Sequence, residues 1–112
     1  MATTTHIPLN EYLRTSYRRD REYVDGELRE RNVGLWGHSR TTALLAGWIG
    51  NHEDDWGVIA GISPRLRASG NRVRVPDLAV VLPGSQPDVL IDPPLLVIEI
   101  VSPDDSYSDT QE

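Results

Sequence analysis

Leu95-Leu96-Val97-Ile98-Glu99-Ile100-Val101 is an apolar run broken by a single acid, Glu99. Its length and branched side chains predict a strand, and the lack of polar alternation predicts burial on both faces. Ionised carboxylates are almost never fully buried without a partner, because desolvation is costly, so a positive group is expected to meet Glu99. Val73-Arg74-Val75-Pro76-Asp77-Leu78-Ala79-Val80-Val81 carries a second acid in the same kind of setting. Period-two alternation sets Asp77 on one face with Val73, Val75, Ala79 and Val81. Two acids, each in an apolar strand, suggest a shared metal ion.

The 112 residues suffice for one small domain, residues 1–112, with a modest core. Hydrophobic content of 38% and charged content of 25% are ordinary for a soluble globular chain. No segment approaches the roughly 20 apolar residues of a membrane span. The opening Met1-Ala2-Thr3-Thr4-Thr5-His6 lacks the pattern of a secretory signal, and there is no cysteine for disulfides or thiolate ligands. A cytoplasmic location is therefore expected, with no membrane partner. The net charge of −6 argues against nucleic-acid binding through bulk electrostatics. However, residues 87–112 hold seven acids and no base, whereas residues 1–86 are nearly balanced, which leaves room for a locally basic face. All eleven bases are arginine.

Asn10 is placed to cap a short helix through Glu11-Tyr12-Leu13-Arg14. Glu22-Tyr23-Val24 and Glu27-Leu28-Arg29 flank Asp25-Gly26, a pair suited to a type I′ turn because both positions take positive φ. From His38 to Asn51, Thr41, Leu44, Leu45, Trp48 and Ile49 recur at helical spacing, with Gly50 placed to end the helix, and this stripe reads as core packing. Strands are expected at 57–60 and 65–68 around a Ser63-Pro64 turn, and a surface loop at the proline-rich stretch 83–94. Ser102-Pro103-Asp104-Asp105 reads as a turn into a helix, the acids favouring its positive end.

These strings, in this order, resemble the Uma-type restriction-endonuclease family, which has the PD-(D/E)xK nuclease fold. The resemblance rests on the Tyr23-Val24-Asp25-Gly26-Glu27-Leu28 hairpin, His38 opening a helix, Pro76-Asp77-Leu78-Ala79-Val80-Val81, Glu99-Ile100-Val101-Ser102-Pro103 and the acidic turn after it. It implies an α/β restriction-endonuclease-like fold, a mixed β-sheet flanked by helices, incomplete at the C-terminus. It also implies hydrolysis of DNA phosphodiester bonds with Mg²⁺, or Mn²⁺, held by Asp77 and Glu99, and with Glu27 as a third carboxylate. Mg²⁺ suits such a site, because it prefers oxygen ligands and needs only one or two carboxylates beside substrate phosphate. The general motif places lysine two residues after the Glu, where this chain has Val101. The resemblance puts an equivalent lysine in the following helix, and none occurs among the 112 residues.

Blander readings stand beside each assignment. Asp77 can be a strand-entrance acid, Glu99 the partner of Arg72 or Arg74, and Glu27 an exposed residue beside a turn. His38 reads as structural, and Arg18, Arg19 and Arg21 as a solvated segment interleaved with Asp20 and Glu22. The alternative function is a catalytically inactive nuclease-fold module that binds DNA or protein. An exposed sheet edge would favour a homodimer.

Overall fold

The structure, a computed structural model, describes residues 6–31 and 34–101. In chain order the elements are α1 (Leu9–Leu13), β1 (Glu22–Val24), β2 (Glu27–Arg29), α2 (Trp36–Asn51), α3 (Glu53–Trp56), β3 (Ile59–Ile62), β4 (Arg65–Ser69), β5 (Arg72–Arg74), β6 (Leu78–Val81), β7 (Val89–Leu90) and β8 (Leu96–Ile98). They form a five-stranded sheet in the order β2-β1-β5-β4-β7 and a three-stranded sheet in the order β3-β6-β8. The α/β class agrees with expectation. The larger sheet is mixed, because β4 and β7 run parallel.

Residues 59–81 make one long hairpin that bends halfway and so belongs to both sheets. β3 pairs with β6 through Ile62↔Leu78, and β4 pairs with β5 through Leu66↔Arg74. The register is the same on both sides of the bend, and Ser63 N–H donates to the Asp77 carbonyl at 2.9 Å to carry the ladder across it. Ser63 takes φ 50°, a left-handed conformation rare for a side-chain-bearing residue. Pro76 has no N–H to offer a ladder, so a bend is where a fully buried proline fits. The single strand expected over 73–81 is therefore two strands, and Asp77 lies at the change of sheet. The expected alternation also fails, because Val75, Pro76, Asp77, Leu78, Ala79 and Val80 are all buried.

Tyr12, Tyr23 and Val73 form the core of the larger sheet, with Ile7, Leu9, Leu13, Tyr17 and Leu28 against them. Tyr12 O–H donates to the Arg21 carbonyl, and burial raises the pKa of this phenol. Asp25 and Gly26 both take positive φ, as the hairpin turn requires. Three details differ from expectation. Pro8, not Asn10, precedes α1, and no side chain caps that helix. α2 continues through Gly50, and the helical segment stops only after α3, where Gly57 takes the left-handed conformation. The α2 stripe is only partly core: Ile49 is buried, while Leu44 and Trp48 are exposed because α2 packs on β3 from one side. Trp48 meets Trp56 edge-on, and His52 stacks on Trp56 at 4.4 Å.

The strand at 95–101 is likewise shorter than expected, and it is not buried on both faces. β8 is an edge strand of the smaller sheet, and Leu95, Leu96 and Val97 remain exposed. A continuous apolar run cannot by itself separate a central strand from an edge strand. The acidic turn 102–105 and the helix expected from 106 lie outside the described residues.

Candidate functional site

The acids meet where the bent hairpin meets β8. Leu78↔Ile98 is the last paired position of β6 and β8, so one step further along the same register Asp77 stands opposite Glu99. Residues opposed across an antiparallel ladder share a face. Asp77 is only 3% exposed. Its Oδ1 accepts Arg31 Nη2 at 2.9 Å and lies 3.0 Å from His38 Nε2, while Oδ2 accepts the Ile100 N–H at 2.7 Å. His38 comes from the first turn of α2, whose positive dipole end also favours an acid.

Glu99 is in the opposite condition. The residue keeps an open flank to solvent, and among the described residues no ion pair reaches it. Its pKa is pushed up to about 7, first by burial and then by the nearby charges of Asp77 and Glu22. Arg31 and Arg74 pull the other way without cancelling the rise. Both are committed elsewhere, Arg31 to Asp77 and Arg74 to Glu22, whose Oε2 also accepts the Val75 N–H at 2.7 Å. The arginine partnership considered for Glu99 thus goes to its neighbours, and Arg72 lies near Asp25.

Glu27 is not brought to this cluster. It pairs with Val24 at the turn end of the β1–β2 ladder, whereas Glu22 pairs with Arg29 at the other end, beside Val75. The β1–β2 ladder thus sets Glu27 at the turn and Glu22 at the end toward the bend. Sequence reasoning missed Glu22 and Arg31 and set His38 aside. The alternation of Glu22 with buried Tyr23 was one signal for the first. Arg31 gave none, since its partner is 46 residues away. Among the described residues, no group of three or more His, Asp or Glu side chains is arranged to hold a metal ion.

The Uma2 family, described as a putative restriction endonuclease, matches residues 9–112. The chain belongs to the Uma2 family. The crystal structure of a putative nuclease belonging to DUF820 from Anabaena variabilis ATCC 29413 superimposes with a TM-score of 0.76 at 23% identity. The match covers 94% of this chain and 64% of that one, so the chain spans just under two thirds of the neighbour's length. At that identity the likeness shows a shared fold. No curated protein matches. In this Uma2-family chain, the carboxylates singled out in the sequence as Asp77 and Glu99 are the two that face each other at the bend.

The raised Glu99 has a measurable consequence. Between its ordinary value of 4.5 and about 7, the folded chain holds a proton on Glu99 that the unfolded chain has released. The native state binds more protons there, so this group makes stability fall as pH rises through that window. Urea-unfolding midpoints across the window are expected to lose this downward component in Glu99→Gln, which cannot ionise. An unchanged slope in the variant would mean that another group titrates.

Proposed function

We propose that this chain forms the acid-bearing core of a cytoplasmic nuclease that hydrolyses DNA phosphodiester bonds with Mg²⁺ or Mn²⁺ at Asp77 and Glu99. The observation that carries the reading is the pair itself: two carboxylates opposed across one ladder, one of them, Glu99, met by no ion pair among the described residues. The donor chemistry fits a hard dication, which takes oxygen ligands and needs only one or two carboxylates. The unanswered negative charge around Glu99 is what such an ion neutralises. When bound, the ion supplies an acidified water and stabilises charge on the phosphoryl oxygens. Glu99 and Asp77 would hold it, and Glu22 stands behind as a further negative group.

Plasmid nicking with Mg²⁺ or Mn²⁺ tests the proposal, with chelator as the control. Glu99→Gln and Asp77→Asn are each expected to slow cleavage by about a hundredfold or more, the scale seen when one transition-state contact is removed. Cleavage that survives both substitutions would belong to a contaminant and end the reading. The three donors already on Asp77 favour the second reading, a catalytically silent DNA-binding or protein-interaction module. Under that reading, metal leaves the unfolding midpoint where it was, whereas an ion binding only the folded chain raises it.

A further inference from the structure

Two facing carboxylates repel a phosphodiester anion, and hydrolysis adds negative charge to its oxygens, so a nuclease built on this pair needs a cation beside the metal. The fixed cations of the chain are all arginines. Several are held away from the acid pair: Arg65 against Asp20, Arg72 near Asp25 and Arg21 near Glu30. Arg74 is held by Glu22. Arg31 alone among them contacts Asp77, and its charge is also felt at Glu99.

Arg31 is held rigidly there. Nη2 donates to Asp77 Oδ1 at 2.9 Å, and Nη1 lies 3.4 Å from Ser63 Oγ, with the side chain only 11% exposed. Ser63 is the residue of positive φ at the bend, so a strained backbone position sets the hydroxyl against this guanidinium. Among the described residues these contacts engage two of the five N–H donors of the guanidinium. The remaining donors suit the planar, two-pronged recognition of a phosphate.

We propose that Arg31, oriented by Asp77 and Ser63 at the hairpin bend, is the residue that grips the substrate phosphate beside the acid pair. The assignment rests on the nuclease reading above and adds a substrate-contacting group that the two acids do not provide.

The test measures binding of the full chain to a short labelled DNA duplex in Ca²⁺ over a series of salt concentrations, together with the Ca²⁺-dependent unfolding midpoint. Arg31→Gln is expected to weaken duplex binding about tenfold or more and to reduce the salt slope by about one. Arg31→Lys keeps the charge and the slope but recovers only part of the affinity, because the fork is lost. The Ca²⁺-dependent rise in midpoint persists in both, since Asp77 and Glu99 remain. If wild type binds duplex and responds to Ca²⁺ but Arg31→Gln binds with wild-type affinity and slope, Arg31 is a structural counter-ion and the assignment fails alone. If wild type neither binds duplex nor responds to Ca²⁺, the nuclease reading fails and takes the assignment with it. Should the Gln variant not fold, wild-type affinity in Arg31→Lys overturns the assignment.

Discussion

Asp77→Asn is expected to destabilise the fold by about 3–5 kcal/mol, the cost of leaving one member of a buried ion pair uncompensated. Asp77 and Arg31 are 4% and 11% exposed at the side chain, and Asn keeps the shape but not the charge that answers the guanidinium. Glu99→Gln should behave in the opposite way near neutral pH, because it removes an acid that Asp77 and Glu22 repel. The two ligand candidates are therefore separable by urea unfolding, although under the proposed metal site both substitutions are expected to remove any rise of the midpoint with metal. Asp77→Asn combined with Arg31→Gln should cost clearly less than the sum of the single changes, as coupled partners do. Strict additivity would show that the two side chains do not interact.

Arg65→Met is expected to cost about 2–4 kcal/mol and to lower the melting temperature by roughly 10 °C or more. Arg65 forks onto both oxygens of Asp20 at 2.8 and 2.9 Å. It also donates to the carbonyls of Tyr12 and Thr15 at 3.0 and 2.8 Å, at and just beyond the end of α1. Its Cζ lies 4.1 Å from the centre of the Tyr12 ring, and the hydrogen bond to Asp20 raises its pKa further. One side chain thus ties α1, the following loop and β4 together. Met preserves the stem and its packing but leaves a carboxylate and two carbonyls without their donor. Arg65→Lys should recover little, since an ammonium cannot present the same fork. A melting temperature within a degree or two of wild type for Arg65→Met would show that these bonds are replaced by water at no cost.

Local chemistry was legible at the hairpin turn and at the two strand acids, although the Asn10 cap and the Gly50 stop, equally local, were misplaced. Asp25-Gly26 announces its turn because two successive positive φ values admit few residues. Asp77 and Glu99 stand out because an acid in an apolar run is costly wherever the run ends up. What could not be read depends on partners far along the chain. Nothing around Arg31 indicates that it will answer Asp77, and nothing around Glu22 indicates that the Val75 amide will come to it. The bend was hidden for a related reason: Val73 to Val81 reads as one strand until Pro76 is known to sit between two sheets. Burial of β8 was overestimated because an apolar run records what a strand could bury, not whether a neighbour lies on its outer side.

Trp36, Trp48 and Trp56 all lie on α2 and α3, and all three are exposed. Intrinsic emission from this chain is therefore a property of one helical arm. The exposed indoles should emit at long wavelength, and the imidazole stacked on Trp56 lies close enough to quench it. A change in emission on unfolding would accordingly report the release of that arm.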